Sequence, residues 1–541
     1  MMIIKYITLA FIVVIGLIAS STNATFCPGH FTFPMNVNTS VGQVSGTYLN
    51  EARAFLGIPY AQPPVGALRF APPVAATPVS NGVNATQWPN ACMQSGVTNP
   101  VGYTQSEDCL YLNVFTPRCK RFTGFPPTTK MPVMVFIHGG RYWTGYSKQF
   151  PGDLLASEKN AVVVSIQYRL NIFGFQSFDS NTNNGLRDQQ MALKWVKDNI
   201  EAFGGDASSI TLFGESAGGS SVLYHLLMPG SYNLYNRGIL QSAWQWVIPT
   251  SQTSRVNTAT WAASAKIGCN NVTVDPVTNK TVPNYIAILS CLRALPATKI
   301  IPTTGESNFM LPMVDGDLIT TLPLNSFKLG NYNKQANIIV GHNYDEGNFM
   351  AFSRLGFKTP LDNVTDATYL SVLNRTLLVY LNQSSTDYIV SQYEPVRQQL
   401  GNWYGGAEFF GDYYITCGSI LAAEYLNQQG ASFKAYIFNY SSPNYPADDW
   451  FLAASHGNEL DFVFLQPIYT PYNFSMTDDI MAERMSSSWV NFAKYGNSFY
   501  SYWTSNYPSA SYFGPNAFGF FDTVPYLKNI CSIWKSYYEL Y

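Results

Sequence analysis

The stretch ITLFGESAGGSS, Ile210 to Ser221, decides how the chain is read. A short β-branched run stops at Gly214, and the residues after Ser216 are compatible with a helix, so the pattern reads strand, sharp turn, helix. Gly214-Glu215-Ser216-Ala217-Gly218 fits G-x-S-x-G, in which small residues on both sides let a strained turn lift a serine hydroxyl above a sheet edge. Ser216 is the candidate nucleophile. The same five-residue pattern also occurs in plain loops, so its meaning rests on its surroundings.

Val133 to Ile137 (VMVFI), Ala161 to Ile166 (AVVVSI), Ile210 to Phe213 and Ala336 to Val340 (ANIIV) are short apolar runs of the kind formed by strands buried on both faces. Between the second and third, Gly185 to Phe203 repeats Ala192, Val196, Ile200 and Phe203 at helical spacing before Gly204-Gly205 ends it. Strand alternating with helix implies an α/β fold with a mostly parallel sheet covered by helices. No internal repeat, low-complexity tract or Pro/Ser linker divides the chain, so residues 25–541 are expected to form one large domain.

The 541 residues are 46% hydrophobic and 12% charged, ample for a large core. A net charge of −2 without a Lys/Arg-rich run excludes a nucleic-acid footprint. Residues 1–24 carry Lys5, the apolar stretch Ile7 to Ala19 and small residues through Ala24, which reads as a signal peptide too short to span a bilayer. No later stretch reads as a membrane span. The expected location is secreted, or the lumen of secretory or endolysosomal vesicles. Sequons at Asn38, Asn84, Asn271, Asn279, Asn363, Asn374, Asn382, Asn439 and Asn473 agree, each expected on a solvated loop or edge. Eight scattered cysteines without a C-x-x-C pair point to disulfides rather than to a zinc site or a catalytic thiol.

FLGIPYAQPPVGALRF (Phe55 to Phe70), SEDCLYLNVF (Ser106 to Phe115), FIHGG (Phe136 to Gly140), the helix at Gly185 and GESAGG occur in that order. GHNYDEGNF (Gly341 to Phe349), SHGNELDFVF (Ser455 to Phe464) and WVNFAKYGN (Trp489 to Asn497) follow. Together these motifs resemble the type-B carboxylesterase and cholinesterase family of α/β-hydrolases over nearly the whole mature chain. The resemblance implies a serine carboxylesterase acting on a small ester without metal or organic cofactor.

A serine hydroxyl needs a base to take its proton, and the base needs a carboxylate to orient it and stabilise its cation. The chain order in such hydrolases is Ser, acid, His. Of five histidines, His30 and His138 precede Ser216, His225 follows it directly and His342 precedes the best acid candidate, which leaves His456. The resemblance places the catalytic histidine in this His-Gly context and selects Glu346 over its neighbour Asp345 as the acid. An unperturbed imidazole would lose activity as pH falls through about 6 to 7. The oxyanion hole is expected from the N–H groups of Ala217, Gly140 and Arg141, where Arg141 departs from the three glycines usual in the family. Its guanidinium either enters the pocket or points outward to a surface carboxylate, and the expense of burying an unpaired charge favours outward.

Tyr142, Trp143, Trp244, Trp246 and Phe349 are candidates to line the pocket. The resemblance places the cholinesterases' choline-binding tryptophan in the loop corresponding to Cys92 to Cys109, which here has none, so choline esters are not the expected substrate. Family-like contexts suggest disulfides Cys92–Cys109 and Cys417–Cys531, with Cys269–Cys291 as a local pair and Cys27–Cys119 left by exhaustion. The resemblance also implies an ion pair between Arg69 and Glu107. Two readings stay beside the esterase: a catalytically impaired relative serving adhesion, and a storage or vesicle-content protein.

Overall fold

The computed structural model describes residues 34–95, 104–118, 130–178, 181–243, 253–304, 311–378, 381–468, 471–496, 509–514, 518–522 and 530–540. The expected signal peptide of residues 1–24, Cys27, Cys119, Trp244 and Trp246 fall outside them. The compact unit treated below comprises Met35–Arg118 and Lys130–Tyr541.

Its centre is a sheet in which eleven strands are described. In chain order they are β1 (Thr47–Leu49), β2 (Ala52–Pro59), β3 (Tyr111–Pro117), β4 (Met131–Ile137), β5 (Val162–Ile166), β6 (Gly205–Glu215), β7 (Arg237–Gln241), β8 (Asn337–Asn343), β9 (Phe433–Phe438), β10 (Ser509–Phe513) and β11 (Phe518–Asp522). Across the sheet they run β11-β10-β9-β8-β7-β6-β4-β5-β3-β2-β1. The block from β10 to β5 is parallel throughout, and both edges are antiparallel. Every residue of β4 and β5 is buried, the condition of a strand covered on both faces, and this is why their sequences are apolar apart from Ser165, whose hydroxyl accepts from Asn113 Nδ2. β6 extends beyond the Ile210 to Phe213 run because its polar start, GDASS, pairs with β4 only across a register shift.

Helix α1 (Asn184–Asn199) continues into a 3₁₀ turn, Ile200–Phe203, that stops on Gly204 at φ 90°. Helices α2 (Ala217–Leu227), α3 (Gly347–Arg354) and α4 (Met476–Tyr495) complete the parts that matter here. α4 opens with a capping box between Ser475 and Asp478 and buries Trp489 and Phe492 in the core. Phe136 of β4 packs at 4.9 Å from both Phe213 and Phe464, which joins the sheet to that layer.

The strand order reverses at β4: β5 lies on one side of it and β6 on the other. At such a switch point the turns leaving the carboxyl ends diverge and open a crevice, so the segments after β4 and β6 must border it. Those segments are His138 to Gly145 and Ser216.

Three disulfides form as expected, Cys92–Cys109, Cys269–Cys291 and Cys417–Cys531, with Cα–Cα separations of 5.0, 5.6 and 5.0 Å. Arg69 pairs with Glu107 through two bonds of 2.6 Å. Asn38, Asn84, Asn271, Asn279, Asn363, Asn382 and Asn473 are exposed. Two sequons depart from the solvated-loop expectation. Asn374 is half-buried within the helix Asp366–Leu377, and Asn439 is half-buried beside β9, its Nδ2 donating to the Tyr512 hydroxyl. Helix and sheet packing claimed these two side chains, a competition that a three-residue motif does not register.

Candidate active site

Ser216 sits between β6 and α2 at φ 58° and ψ −123°, a strained backbone that projects its side chain into the crevice. The turn closes because Gly218 has no side chain: a Cβ there would lie 1.9 Å from the Ile137 carbonyl oxygen. Ala217 is the first residue of α2, where an N–H has no acceptor within the helix.

Across the crevice, the turn after β4 holds Gly140, Arg141 and Tyr142 at φ 101°, 61° and 61°. Non-glycine residues in this region each carry about 1–3 kcal/mol of strain, so the neighbours must hold the turn. Gln94 does so with its amide, accepting from the Gly145 N–H and donating to the Gly145 carbonyl, both at 3.0 Å. The adjoining Cys92–Cys109 disulfide anchors Gln94 in turn. Asn171 N–H donates to the Tyr142 carbonyl at 2.7 Å, and the Tyr168 hydroxyl to that of His138 at 2.8 Å. The N–H groups of Gly140 and Arg141 bond to no acceptor among the described residues, and they border the cavity that contains Ser216.

Glu346 follows β8 and immediately precedes α3. Its carboxylate is buried and accepts from His456 Nδ1 at 2.6 Å, the Ser242 hydroxyl at 2.5 Å and the Asn343 N–H at 2.7 Å. Burial opposes its ionisation, but the His456 charge and these donors outweigh that and hold the carboxyl below its ordinary range. Asp345 has a structural part instead: its Oδ2 accepts from the Ala454 N–H at 3.2 Å, which fixes the loop carrying His456.

The other nitrogen of His456, Nε2, lies 3.1 Å from Glu215 Oε1. No hydrogen bond joins it to Ser216 among the described residues, although both side chains line the same cavity. Such contacts are often long without substrate and tighten on binding. Buried Glu459 completes the cluster, held by Asn343 Nδ2 at 2.6 Å and Gln241 Nε2 at 3.0 Å. Burial disfavours the imidazolium, but the charges of Glu215 and Glu346, the Glu346 hydrogen bond and Glu459 prevail and raise the His456 pKa well above 6.5. Burial, and then the neighbouring carboxylates, raise Glu215 despite His456. The ordinary imidazole titration expected from sequence is therefore displaced upward. Glu215 and Glu459 lie inside GESAG and HGNEL, quoted above, but nothing in either motif says that the charges of both act on one histidine.

The three other described histidines are structural, and His30 lies outside the described residues. His138 is buried and stacked on Tyr168 at 4.5 Å, His225 bonds to Ser231 at 2.9 Å, and His342 is buried with Nδ1 2.9 Å from the Asn343 carbonyl.

The cavity measures about 740 Å³, within the range of small-molecule sites. Phe349, 51% exposed, lines it together with Met350, Phe352, Ser353 and Arg354, while Ala351 between them is turned to the core. Tyr142 does not line it. Its ring packs 5.0 Å from Phe175 and its hydroxyl lies 3.2 Å from Ser221, because the left-handed turn sends successive side chains to opposite sides. Trp143 is also absent from the lining and instead stacks under Arg141, whose Cζ stands 4.8 Å from the ring centroid. Arg141 therefore faces the cavity, against the outward expectation, and stacking on the indole offsets part of the desolvation that made an inward position expensive.

With this geometry in place, the comparisons with known proteins agree on one family. Residues 34–514 match the model of the carboxylesterase family. A cholinesterase of Mus musculus is 34% identical over 500 residues, covering 85% of this chain and 79% of the relative. An acetylcholinesterase of Bungarus fasciatus is 30% identical over 499 residues, covering 86% and 78%. A parallel sheet with its switch-point crevice, a serine on a strained elbow and a match over most of the length lead to one conclusion: the chain belongs to the carboxylesterase family of α/β-hydrolases, serine hydrolases that act on ester bonds.

Proposed function

We propose that the protein is a catalytically competent, secreted carboxylesterase working through an acyl-enzyme on Ser216, in a single domain that follows a signal peptide. The observation that carries this is the Glu346–His456 bond of 2.6 Å in the wall of the cavity that exposes Ser216. Ser216 Oγ attacks the ester carbonyl carbon as its proton passes to His456 Nε2, and Glu346 stabilises the imidazolium. The N–H groups of Gly140, Arg141 and Ala217 take up the oxyanion charge, each contributing on the order of 10²–10³ in rate. His456 returns the proton to the leaving alcohol, and water, deprotonated by the same nitrogen, then releases the acid.

Three disulfides and seven exposed sequon asparagines support passage through an oxidising, glycosylating compartment. No described helix is long and apolar enough to cross a membrane. Two guanidinium groups in the cavity would repel a quaternary ammonium, consistent with the missing loop tryptophan. Turnover of p-nitrophenyl acetate and butyrate, with stoichiometric labelling by an organophosphate, tests the reading; absence of both in folded protein would refute it.

The cluster around His456 also predicts a pH profile. His456 must be neutral to act as base, and its raised pKa keeps it protonated to higher pH than a free imidazole. kcat/KM should rise with pH along a limb centred above 6.5. Replacing Glu215 with Gln removes an anion that stabilises the imidazolium, so the limb should move to lower pH whatever happens to its height. Because the groups titrate together, the limb belongs to the cluster rather than to His456 alone. A limb at the same pH in Glu215→Gln would rule out the coupling.

A further inference from the structure

One side of the cavity carries two guanidinium groups to which no described acidic group is paired. Arg141 projects from the turn after β4, and Arg354 ends α3; both line the space that holds Ser216 and His456. Each lies over an aromatic ring, Arg141 on Trp143 at 4.8 Å and Arg354 on Tyr414 at 5.5 Å. Stacking fixes the planes of the two forks and leaves their N–H edges free to donate.

The acids on the cavity wall do not neutralise them. Glu215 faces His456. Asp461 is taken up by the Tyr472 hydroxyl at 2.9 Å and the Ile468 N–H at 2.7 Å. Asp449 lines the cavity without an ion pair to either arginine. Two cations sharing a confined space destabilise one another: desolvation, and then the Arg354 charge, lower the Arg141 pKa, though a guanidinium stays cationic.

Arg141 also occupies a left-handed backbone position, φ 61°, where glycine would be free of strain. Like-charge repulsion between Arg141 and Arg354 is what a bound anion would offset.

We propose that Arg141 and Arg354 form a carboxylate-binding subsite, and that the preferred substrates are half-esters of dicarboxylic acids, with the free carboxylate held by this pair while the ester carbonyl faces Ser216. Arg141 contributes its N–H to the oxyanion site as well as its side chain, so the carboxylate belongs on the acyl chain, a few carbons from the reacting carbonyl. The inference rests on the esterase reading and specifies its substrate class.

The test compares p-nitrophenyl hydrogen glutarate with p-nitrophenyl valerate, which matches its acyl length without the charge. Wild type should favour the glutarate half-ester in kcat/KM, and added salt should reduce the preference. Arg354→Gln should lower the glutarate-to-valerate ratio by roughly tenfold or more, and Arg354→Lys should restore part of it. Arg354 makes no ion pair among the described residues, so these variants should fold. Calorimetry of the glutarate half-ester on Ser216→Ala, with and without Arg354→Gln, reads binding apart from chemistry. Binding that weakens with Arg354→Gln, in a protein whose wild type turns over neither ester, would uphold the subsite and sink the hydrolytic reading. Valerate turnover with no preference for the charged ester, or a ratio and affinity untouched by Arg354→Gln, would overturn the subsite and leave hydrolysis standing.

Discussion

Ser216→Ala should lower ester turnover by roughly 10⁵–10⁶ and abolish organophosphate labelling while leaving the fold intact. The size follows from the division of labour at the site. Without Oγ there is no acyl-enzyme, and the base and acid have no nucleophile to activate, so the three groups fail as a unit. The oxyanion donors and the cavity remain, which is why a residue of catalysis over water should survive. Stability should change by less than about 0.5 kcal/mol. Alanine keeps the Cβ that already tolerates φ 58°, and Ser216 Oγ makes no hydrogen bond among the described residues, so its removal strands no partner. Active-site titration and thermal unfolding of the purified variant check both halves. Stoichiometric labelling of Ser216→Ala would assign the nucleophile elsewhere.

Arg69→Ala should be strongly damaging although remote from the reacting atoms, at a cost of about 3–5 kcal/mol. The pair with Glu107 is nearly dry, with side-chain exposures of 8% and 13%. Its loss leaves Glu107 as an uncompensated charge. Arg69 Nη1 also donates to the carbonyls of Leu292, Arg293 and Leu295, at 2.8, 3.1 and 2.5 Å, and these tie a segment more than two hundred residues away to the first part of the chain. Alanine removes all of these donors together. Secreted yield and the unfolding midpoint should fall sharply, while kcat/KM of whatever folds should change little. Removing Glu107 as well should recover part of the loss, because the double variant no longer buries a lone charge. Wild-type stability of Arg69→Ala would show that the pair contributes nothing, and a double variant no better than additive would assign the loss to the carbonyl contacts. The more deeply buried pair of Arg169 and Asp188, 3% and 0% exposed, should behave in the same way.

What the amino-acid sequence determined by itself was whatever short-range chemistry writes into short stretches. Buried parallel strands need unbroken apolar runs, so β4, β5, β6 and β8 could be read; the elbow needs its glycines, so Ser216 could be read. With the family's motif order, the same reasoning reached Glu346, His456, the Arg69–Glu107 pair and three disulfides. The tertiary structure alone decided what depends on side-chain direction and on segments that meet only after folding. Left-handed backbone at Arg141 and Tyr142 sends the first into the cavity and the second into the core, the reverse of the outward arginine and pocket-lining tyrosine expected from the sequence. Arg354 was an unremarkable helix-end residue until α3 was laid along the cavity. Glu215 meets His456, and the charge of Glu459 reaches it, only because β6 and the loop after β9 converge at the switch point. Asn439 kept its sequon but gave its amide to Tyr512. The division has one physical cause: turn strain and strand burial act over a few residues and leave a local trace, whereas the field around a buried imidazole sums charges brought from distant segments, whose positions no local pattern encodes.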